Sequence, residues 1–313
     1  IIIKYFKISY SLISLFPYSL PIMKTPLIIE QHIHGAYGVY FNTAGVDEIV
    51  ELSHKLHKIG IGGFFPTLVT DSVENIKRQT EIIKEASKKT NSILGIHLEG
   101  IFINPKKKGI HNPEHFMALT VENYQKIEDD FIKIVTLAPE LDEGLLDYLK
   151  SRRVKVQAGH CVGWGQVDCA THTFNAMSGV THRGVSTALS AMVEDNVYAE
   201  IIGDGVHVSD EALKLFFKAK PADKVILISD ALPITYSDLK ETIFADYKIY
   251  YDGDKATSAD GTIAGSTKLL PDIIKILGKK GMFNPQFIQN VYDYHGIEPM
   301  GEIEWDEDFE IVS

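Results

Sequence analysis

Short apolar runs alternate along this chain with segments of helical periodicity, and the alternation occurs eight times. Continuous apolar runs of this length are typical of parallel strands that are buried on both faces. Eight such strands alternating with helices predict an α/β fold, a (β/α)8 barrel of the TIM type. The predicted strands cover residues 27–34, 63–68, 93–99, 132–138, 154–160, 170–174, 199–203 and 225–230.

One crossover breaks this pattern. Only ten residues separate His160 from Thr171, and Gly163 and Gly165 are among them. A crossover between parallel strands needs about a dozen residues or more and usually contains a helix. We therefore expect a tight loop in place of the fifth helix.

The chain is expected to divide into three segments. Residues 1–26 are predicted to form an N-terminal extension or a remnant strand, and residues 27–300 the barrel. Two Asp-Gly pairs predict a β-hairpin insertion near residues 245–262. Residues 301–313 are predicted to form a C-terminal tail with a strand at 309–312.

Two interpretations of residues 1–22 stay open. They contain Lys4 and Lys7, no acidic residue, and an apolar run at 8–20 that Pro17 interrupts. A basic start before an apolar run is typical of a signal peptide, but no clear small-residue cleavage site follows. The run is also too short and too interrupted for a membrane span. A strand or an extension is therefore the favoured interpretation.

The overall charge limits the partners of this chain. The formal net charge of −11 argues against non-specific binding to nucleic acid or to an anionic membrane. An anionic substrate would therefore be held by local groups. The two cysteines, Cys161 and Cys169, provide no disulfide framework and favour the cytoplasm as the compartment.

Ionisable side chains recur where the predicted strands end. In a barrel of this type, the carboxyl ends of the strands form the rim that carries catalytic groups. His32 and His34 alternate with Ile33, so the two imidazoles share one face of their strand. The predicted rim set comprises His32, His34, Glu99, His160, His172, His207 and Asp230.

This rim set predicts a metal site. Burial of so many ionisable groups costs several kcal/mol each unless the groups pair or bind a cation. A mixture of imidazole and carboxylate ligands favours Zn²⁺, Fe²⁺, Mn²⁺ or Co²⁺ over Ca²⁺ and Mg²⁺.

His97 lies two residues before Glu99 on the same strand face. It is either a second layer around the metal or a satisfied core residue. The run Lys106-Lys107-Lys108 predicts a solvated loop rather than a binding patch.

Nine stretches of the chain carry a resemblance to a known family. They are residues 31–38, 97–102, 108–116, 137–140, 159–161, 171–177, 203–208, 229–231 and 260–266. The combinations Leu-Glu-Gly, Thr-His-x-Phe-Asn-Ala-Met and Asp-Gly-x-His are specific in that order. In these motifs the chain resembles the N-acetylglucosamine-6-phosphate deacetylases of the amidohydrolase superfamily.

The resemblance implies roles for individual residues. It implies that Asp230 transfers protons and that His111 polarises the acetamido carbonyl. The principal metal ligands are implied to be Glu99, His160 and His172. In some members His32 and His34 complete a second position, so one or two cations per chain stay open. The implied substrate contacts are Ile110, Asn175, Ala176, Arg183, His207, Ile263, Ala264 and Gly265, with Arg183 and His207 near the sugar phosphate.

The resemblance also implies an activity and an assembly. The expected reaction is hydrolysis of N-acetyl-D-glucosamine 6-phosphate to D-glucosamine 6-phosphate and acetate, in amino-sugar catabolism, by a homodimer. The small β-sandwich of the family is expected to be reduced or absent, and Ile101 stands where the family has a proline. Two alternatives stay open. One is an amidohydrolase that acts on another N-acyl sugar or a cyclic amide, and the other is a non-catalytic sugar-phosphate-binding homologue.

Overall fold

The computed structural model describes residues 23–312. The interpretation of residues 1–22 as an extension, a strand or a signal peptide lies outside this range. Within it, no helix combines the length and the apolar character needed to cross a bilayer.

The strands follow the apolar runs of the sequence. In chain order they are β1 (Met23–Thr25), β2 (Ile28–Ile33), β3 (Gly35–Ala36), β4 (Val39–Tyr40), β5 (Ile61–Val69), β6 (Ile96–Glu99), β7 (Ile132–Leu137), β8 (Lys155–Ala158), β9 (Cys169–Ala170), β10 (Tyr198–Ile201), β11 (Val225–Leu227), β12 (Glu241–Phe244), β13 (Tyr247–Tyr251), β14 (Ala256–Ser258), β15 (Ile263–Gly265) and β16 (Ile303–Trp305).

The α-helices lie mostly between these strands. They are α1 (Val46–Lys58), α2 (Val73–Ser87), α3 (Val121–Gln125), α4 (Leu145–Ser151), α5 (Thr187–Val193), α6 (Asp210–Ala219), α7 (Leu270–Lys279) and α8 (Gln286–His295). Each longer helix buries one apolar stripe. In α1 this stripe is Ile49, Leu52 and Leu56, whose spacing places them on one face.

Eight parallel strands form the predicted barrel. Their order in the sheet is β2, β5, β6, β7, β8, β9, β10 and β11, so each barrel strand pairs with the barrel strands that precede and follow it along the chain. Every residue of β2 and β5 is buried, as expected for strands that are covered on both faces. The predicted fold class is thereby confirmed.

The first and last strands meet at the carboxyl end of the barrel. Ile33 forms a parallel bridge with Ala231, and the N–H of Asp230 donates to the carbonyl of His32 at 2.9 Å. Both segments carry predicted site residues, so closure of the barrel brings the two ends of the site together.

The crossover between β8 and β9 contains no helix, as predicted. Residues 159–168 form bends and irregular backbone with an isolated bridge at Cys161, and α5 follows β9 instead. The side chain of Asp168 accepts a hydrogen bond from the N–H of Val156 at 2.8 Å, which secures the short connection against β8.

The region of the predicted hairpin holds a larger unit. Strands β12, β13, β14 and β15 form a separate antiparallel sheet, which extends beyond residues 245–262 on both sides. A second apolar cluster lies under this sheet and includes Phe244, Ile249 and Ile110. The sheet therefore covers part of the barrel mouth.

The described terminal segments pair with each other. Strand β1 runs antiparallel to β16, and the indole Nε1 of Trp305 donates to Oγ1 of Thr25 at 2.9 Å. The prediction of a strand at 309–312 is wrong, because Trp305 is the buried anchor and Ile311 forms only an isolated bridge to it. Within residues 23–312, the strands of the two ends form this ribbon and no larger sandwich.

Candidate metal centre and active site

The Glu99 side chain lies at the centre of the predicted rim set. It stands at the end of β6 and is 3% exposed. Its Oε1 atom is 2.8 Å from Nε2 of His172 and 3.1 Å from Nε2 of His160. The two imidazole nitrogens are themselves 3.2 Å apart. Three potential ligand atoms thus converge from three different strands.

The second oxygen of Glu99 faces the other predicted ligands. Its Oε2 atom is 3.1 Å from Nε2 of His34 and 3.5 Å from Nε2 of His32. It also lies 3.6 Å from Nε2 of His111. The carboxylate therefore separates the imidazoles into two groups, one at each oxygen.

The donor set fits a divalent cation. The Nε2 atom of His32 is buried and has no hydrogen-bond partner among the described residues. Glu99, His160 and His172 offer donor atoms within reach of one ion, and so do His32, His34 and Glu99. Imidazole nitrogen with carboxylate oxygen is the ligand mixture of Zn²⁺ and of the first-row divalent metals.

Outer hydrogen bonds orient these imidazoles. Nδ1 of His160 donates to the carbonyl of Lys107 at 2.8 Å, and Nδ1 of His34 donates to the carbonyl of Thr67 at 3.2 Å. Because a carbonyl only accepts, the proton is on Nδ1 and the lone pair of Nε2 points toward Glu99.

Glu200 on β10 also orients one of the candidate ligand imidazoles. Its Oε2 lies 3.2 Å from Nδ1 of His32 and accepts from the N–H of His172 at 3.2 Å, while Gln31 donates to Oε1 at 2.6 Å. Burial would raise the pKa of this carboxyl, but the hydrogen bonds and positive charge from His32, His97 and Gln31 together outweigh burial, and the pKa is lowered. Glu200 is therefore a buried carboxylate that orients His32.

Asp230 approaches the same group of imidazoles. Its Oδ1 atom is 3.3 Å from Nε2 of His34 and 3.4 Å from Nε2 of His32. Burial would raise the pKa of Asp230, but the neighbouring His32 and His34 outweigh it and the pKa lies below its usual value. Asp230 is thus a carboxylate, the form that can accept a proton.

His111 enters from the long loop after β6 and is buried. Burial lowers its pKa to about 4, and nearby His160 contributes to the shift. The imidazole is therefore neutral near pH 7, and a neutral ring can donate one hydrogen bond from one nitrogen only.

Several rim residues have left-handed backbone conformations. The φ angles are 48° at His160, 31° at His172, 48° at Ala176 and 53° at Asp230. Non-glycine residues rarely adopt such angles, and they concentrate at functional sites where the surrounding structure fixes them. Each of these four positions lies two to six residues after the end of a barrel strand.

A second polar cluster lies beside the rim. Nδ1 of His207 is 2.8 Å from Oδ2 of Asp204, and Ser266 donates to the same oxygen at 2.9 Å. Burial would lower the pKa of His207, but Asp204 outweighs it and the pKa is raised. His207 therefore keeps a positive charge to higher pH than a free histidine.

A cavity of about 390 Å³ opens over the rim. Most predicted site residues line it: His34, Glu99, Ile110, His111, His160, His172, Asn175, Ala176, His207, Asp230, Ile263 and Ala264.

Three predicted site residues lie outside this lining. His32 is buried behind it, and Gly265 packs so closely that a Cβ there would be 2.7 Å from the carbonyl oxygen of Asp230. Arg183 lies on an exposed loop and does not line the cavity.

Sequence reasoning missed some cavity residues. Lys106, Lys107 and Lys108 line the cavity, whereas the run predicted a solvated loop. The available signal was its position, directly before the predicted contacts Ile110 and His111. Phe244 and Thr262 also line the cavity and carry no ionisable group that would have identified them.

His97 combines the features of both interpretations in the structure. Its Nδ1 donates to the carbonyl of Gln31 at 2.9 Å, and its Nε2 is 2.8 Å from Oγ1 of Thr136. Its ring packs against that of His32, with 4.6 Å between the centroids. His97 is a satisfied residue in the layer behind the candidate ligands.

Comparison with known proteins identifies clear relatives, although no protein-family model matches the chain. An N-acetylglucosamine-6-phosphate deacetylase of Bacillus subtilis is 34% identical over 263 residues, which cover 77% of this chain and 66% of that protein. The enzyme of that name from Haemophilus influenzae is 30% identical over 264 residues, covering 79% and 69%. An N-acetylgalactosamine-6-phosphate deacetylase of Escherichia coli O157:H7 is 28% identical over 260 residues, covering 77% and 68%.

A solved structure extends this similarity to the fold. The N-acetylglucosamine-6-phosphate deacetylase of Thermotoga maritima superposes with a TM-score of 0.84 at 27% identity, over 92% of this chain and 86% of that one. The matched segment of the chain spans about two thirds of the length of the curated relatives.

Proposed function

Because this chain belongs to the family of N-acetylglucosamine-6-phosphate deacetylases, we propose that it hydrolyses N-acetyl-D-glucosamine 6-phosphate to D-glucosamine 6-phosphate and acetate. The observation that carries this proposal is the convergence of Glu99, His160 and His172 beside Asp230 at the floor of one cavity. Amide hydrolysis needs an activated water, a partner for the carbonyl oxygen and a proton for the leaving amine, and these residues supply candidates for all three.

Two cation positions that share Glu99 are proposed. Glu99, His160 and His172 would hold the first, and His32 and His34 with the other oxygen of Glu99 would hold the second. When bound, a divalent cation there supplies Lewis acidity, which makes water a competent nucleophile near neutral pH. Zn²⁺, Fe²⁺, Mn²⁺ and Co²⁺ all suit this ligand set.

Asp230 is proposed as the group that moves the proton. It accepts a proton from the attacking water as the water oxygen bonds to the acetyl carbon, and it returns that proton to the nitrogen as the C–N bond breaks. The supporting observations are its lowered pKa and its place in the cavity wall. The same carboxyl thus serves first as base and then as acid.

His111 is proposed to hold the oxyanion that forms on the acetyl group. Its Nε2 faces Glu99 and the cavity. Donors that are already aimed at a developing oxyanion lower the barrier without reorganisation. The neutral state of His111 suits this role, because it donates a hydrogen bond without giving up its proton.

The sugar phosphate is proposed to bind through local positive charge. Asp204 favours the charged form of His207, and Lys106, Lys107 and Lys108 also line the cavity. These cations allow a protein with a net charge of −11 to accept an anionic substrate. The predicted role of Arg183 at the phosphate stays a prediction, as does the homodimer.

The compartment and the exact sugar are also proposals. Cys161 and Cys169 are free and buried, which is compatible with the predicted reducing cytoplasm. A relative that is 28% identical is named for the galactosamine epimer. N-acetyl-D-galactosamine 6-phosphate is therefore the second candidate substrate.

Acetate release tests the proposed function. Purified protein loaded in turn with Zn²⁺, Fe²⁺, Mn²⁺ or Co²⁺ is incubated with each of the two sugar phosphates and with unphosphorylated N-acetylglucosamine. We expect the highest kcat/KM for N-acetyl-D-glucosamine 6-phosphate. Thermal stabilisation by the sugar phosphates without any acetate from any substrate would instead support the non-catalytic homologue.

A further inference from the structure

We propose that Thr70 is a positioning residue that keeps the proton of His111 on Nε2, the nitrogen that faces the cavity. The inference rests on the proposed function, because it assigns the residue that prepares His111 for the acetyl oxygen. Thr70 follows β5 directly and is 1% exposed, so it lies under the rim and outside the predicted site set.

The hydrogen bonds of the Thr70 hydroxyl determine whether it donates to His111 or accepts from it. Oγ1 of Thr70 is 2.7 Å from Nδ1 of His111, and it accepts from the N–H of Ile101 at 2.9 Å. A hydroxyl has a single proton to donate. Among residues 23–312, Nδ1 of His111 is the one atom in hydrogen-bond contact with the hydroxyl that is able to accept this proton, and a protonated Nδ1 would leave the hydroxyl proton without an acceptor. Thr70 therefore donates, and Nδ1 carries the lone pair.

The other side of the ring agrees with this assignment. Nε2 of His111 lies 3.6 Å from Oε2 of Glu99. Unlike His34 and His160, His111 belongs to neither of the candidate cation groups that share Glu99, so no cation is proposed between these two atoms. A proton on Nε2 is therefore attracted by that carboxylate, whereas a lone pair would be repelled by it. Both contacts of the imidazole therefore select the same tautomer.

Gly100 makes the close approach of Thr70 and His111 possible. Its φ is 108°, and a Cβ at this position would be 2.1 Å from Oγ1 of Thr70 and 2.8 Å from Nδ1 of His111. Any side chain here would therefore displace the hydrogen bond. Asn42 holds the preceding residue, since its amide exchanges two hydrogen bonds with the backbone of Val69 at 3.0 and 3.1 Å.

The tautomer has a direct chemical consequence. With the proton on Nε2, His111 presents a donor to the oxyanion of the acetyl group. With the proton on Nδ1, it presents a lone pair, which repels that oxyanion. Loss of one oxyanion donor typically lowers kcat by about 10²–10³.

Substitution of Thr70 tests the inference through kinetics. Thr70→Val keeps the shape and removes the hydroxyl, and Thr70→Ser keeps the hydroxyl. We expect kcat of Thr70→Val to fall about 10²-fold with KM nearly unchanged, and Thr70→Ser to retain most of it. In the background of His111→Gln, Thr70→Val should cost almost nothing more, because the two residues act as one unit. Equal losses with and without His111 would overturn the inference.

Nitrogen-15 spectra of histidine-labelled, metal-loaded protein test the tautomer itself. The signals of His111 are those that disappear in His111→Gln. We expect the Nε2–H form in the wild type and in Thr70→Ser, and a shift toward Nδ1–H in Thr70→Val. An Nδ1–H signal in the wild type would refute the inference even if Thr70→Val did not fold. Absence of acetate release by the wild type would refute the proposed function alone, since the spectrum would still decide the tautomer.

Discussion

The carboxyl group of Glu30 accepts a hydrogen bond from the backbone N–H of Ser229 at 3.0 Å, across the line where the first and last barrel strands meet. Its other oxygen accepts from the N–H of His32 at 3.1 Å. Burial raises the pKa of Glu30 to about 8, so the side chain is largely neutral near pH 7. A side chain thus completes the hydrogen bonding between β2 and the segment that follows β11, two residues before His32 and one residue before Asp230.

Replacement of Glu30 is expected to destabilise the barrel. Glu30→Ala leaves two buried N–H groups without acceptors, and each such group costs about 1–3 kcal/mol. We expect the free energy of unfolding, measured by urea titration, to fall by about 2–6 kcal/mol. Glu30→Gln keeps one acceptor and should lose less. Equal stability of all three proteins would contradict this role.

Metal content tests the two cation positions. We expect about two equivalents per chain at saturating metal, one in His34→Gln and fewer than one in Glu99→Gln, because Glu99 contributes to both positions. A chelator should lower the melting temperature of the wild type, since a ligand that binds only the folded state stabilises it. The matched control is His54→Gln on the exposed face of α1. A single equivalent in both the wild type and His34→Gln would exclude the second position.

Loss of the Asp230 carboxylate is expected to slow turnover strongly without loss of binding. Asp230→Asn keeps the shape of the side chain but cannot accept a proton. General acid–base groups typically contribute about 10²–10⁴ in rate, so kcat should fall by that factor while KM stays similar. Calorimetric titration with substrate then measures its affinity in the variant. Unchanged kcat would assign proton transfer to another residue.

The pair of His207 and Asp204 predicts a pH dependence. His207 has a raised pKa, so its charge is fully present below the ordinary value near 6.5 and is lost as the pH rises through the raised value. KM for the sugar phosphate should therefore increase on the alkaline side. In Asp204→Asn the pKa of His207 loses this support, and the increase should begin at lower pH. Unphosphorylated N-acetylglucosamine serves as the control, because its KM should not follow this titration.

The barrel was predictable because its strands are covered on both faces. Coverage on both faces produces continuous apolar runs that a sequence displays directly, and the eight runs correspond to the eight strands of the barrel. The rim residues were predictable for a related reason. Charged groups are rarely buried unless they are paired or bind a metal, and barrel geometry brings strand ends together.

Other features depend on contacts that no local pattern encodes. The lysine run has the composition of a solvated loop, yet the hydrogen bond from His160 to the Lys107 carbonyl holds it at the cavity. Thr70 carries no charge and ends an apolar run, so it gave no signal. The sequence predicts the terminal strand at 309–312 and the structure has it at Ile303–Trp305, because the contact that anchors Trp305 comes from the distant residue Thr25.

Because a separate sheet lies over the barrel mouth, one part of the chain shapes the cavity and another part positions the candidate ligands. Phe244, Ile263 and Ala264 shape the cavity from strands β12 and β15, whereas Glu99 and its neighbouring imidazoles are fixed by barrel strands. For the proposed activity, mutations in the sheet are therefore expected to change which sugar fits while the reactive centre keeps its geometry. Such a division would let evolution, or protein engineers, change the preferred amino sugar without altering the residues that carry the proposed chemistry.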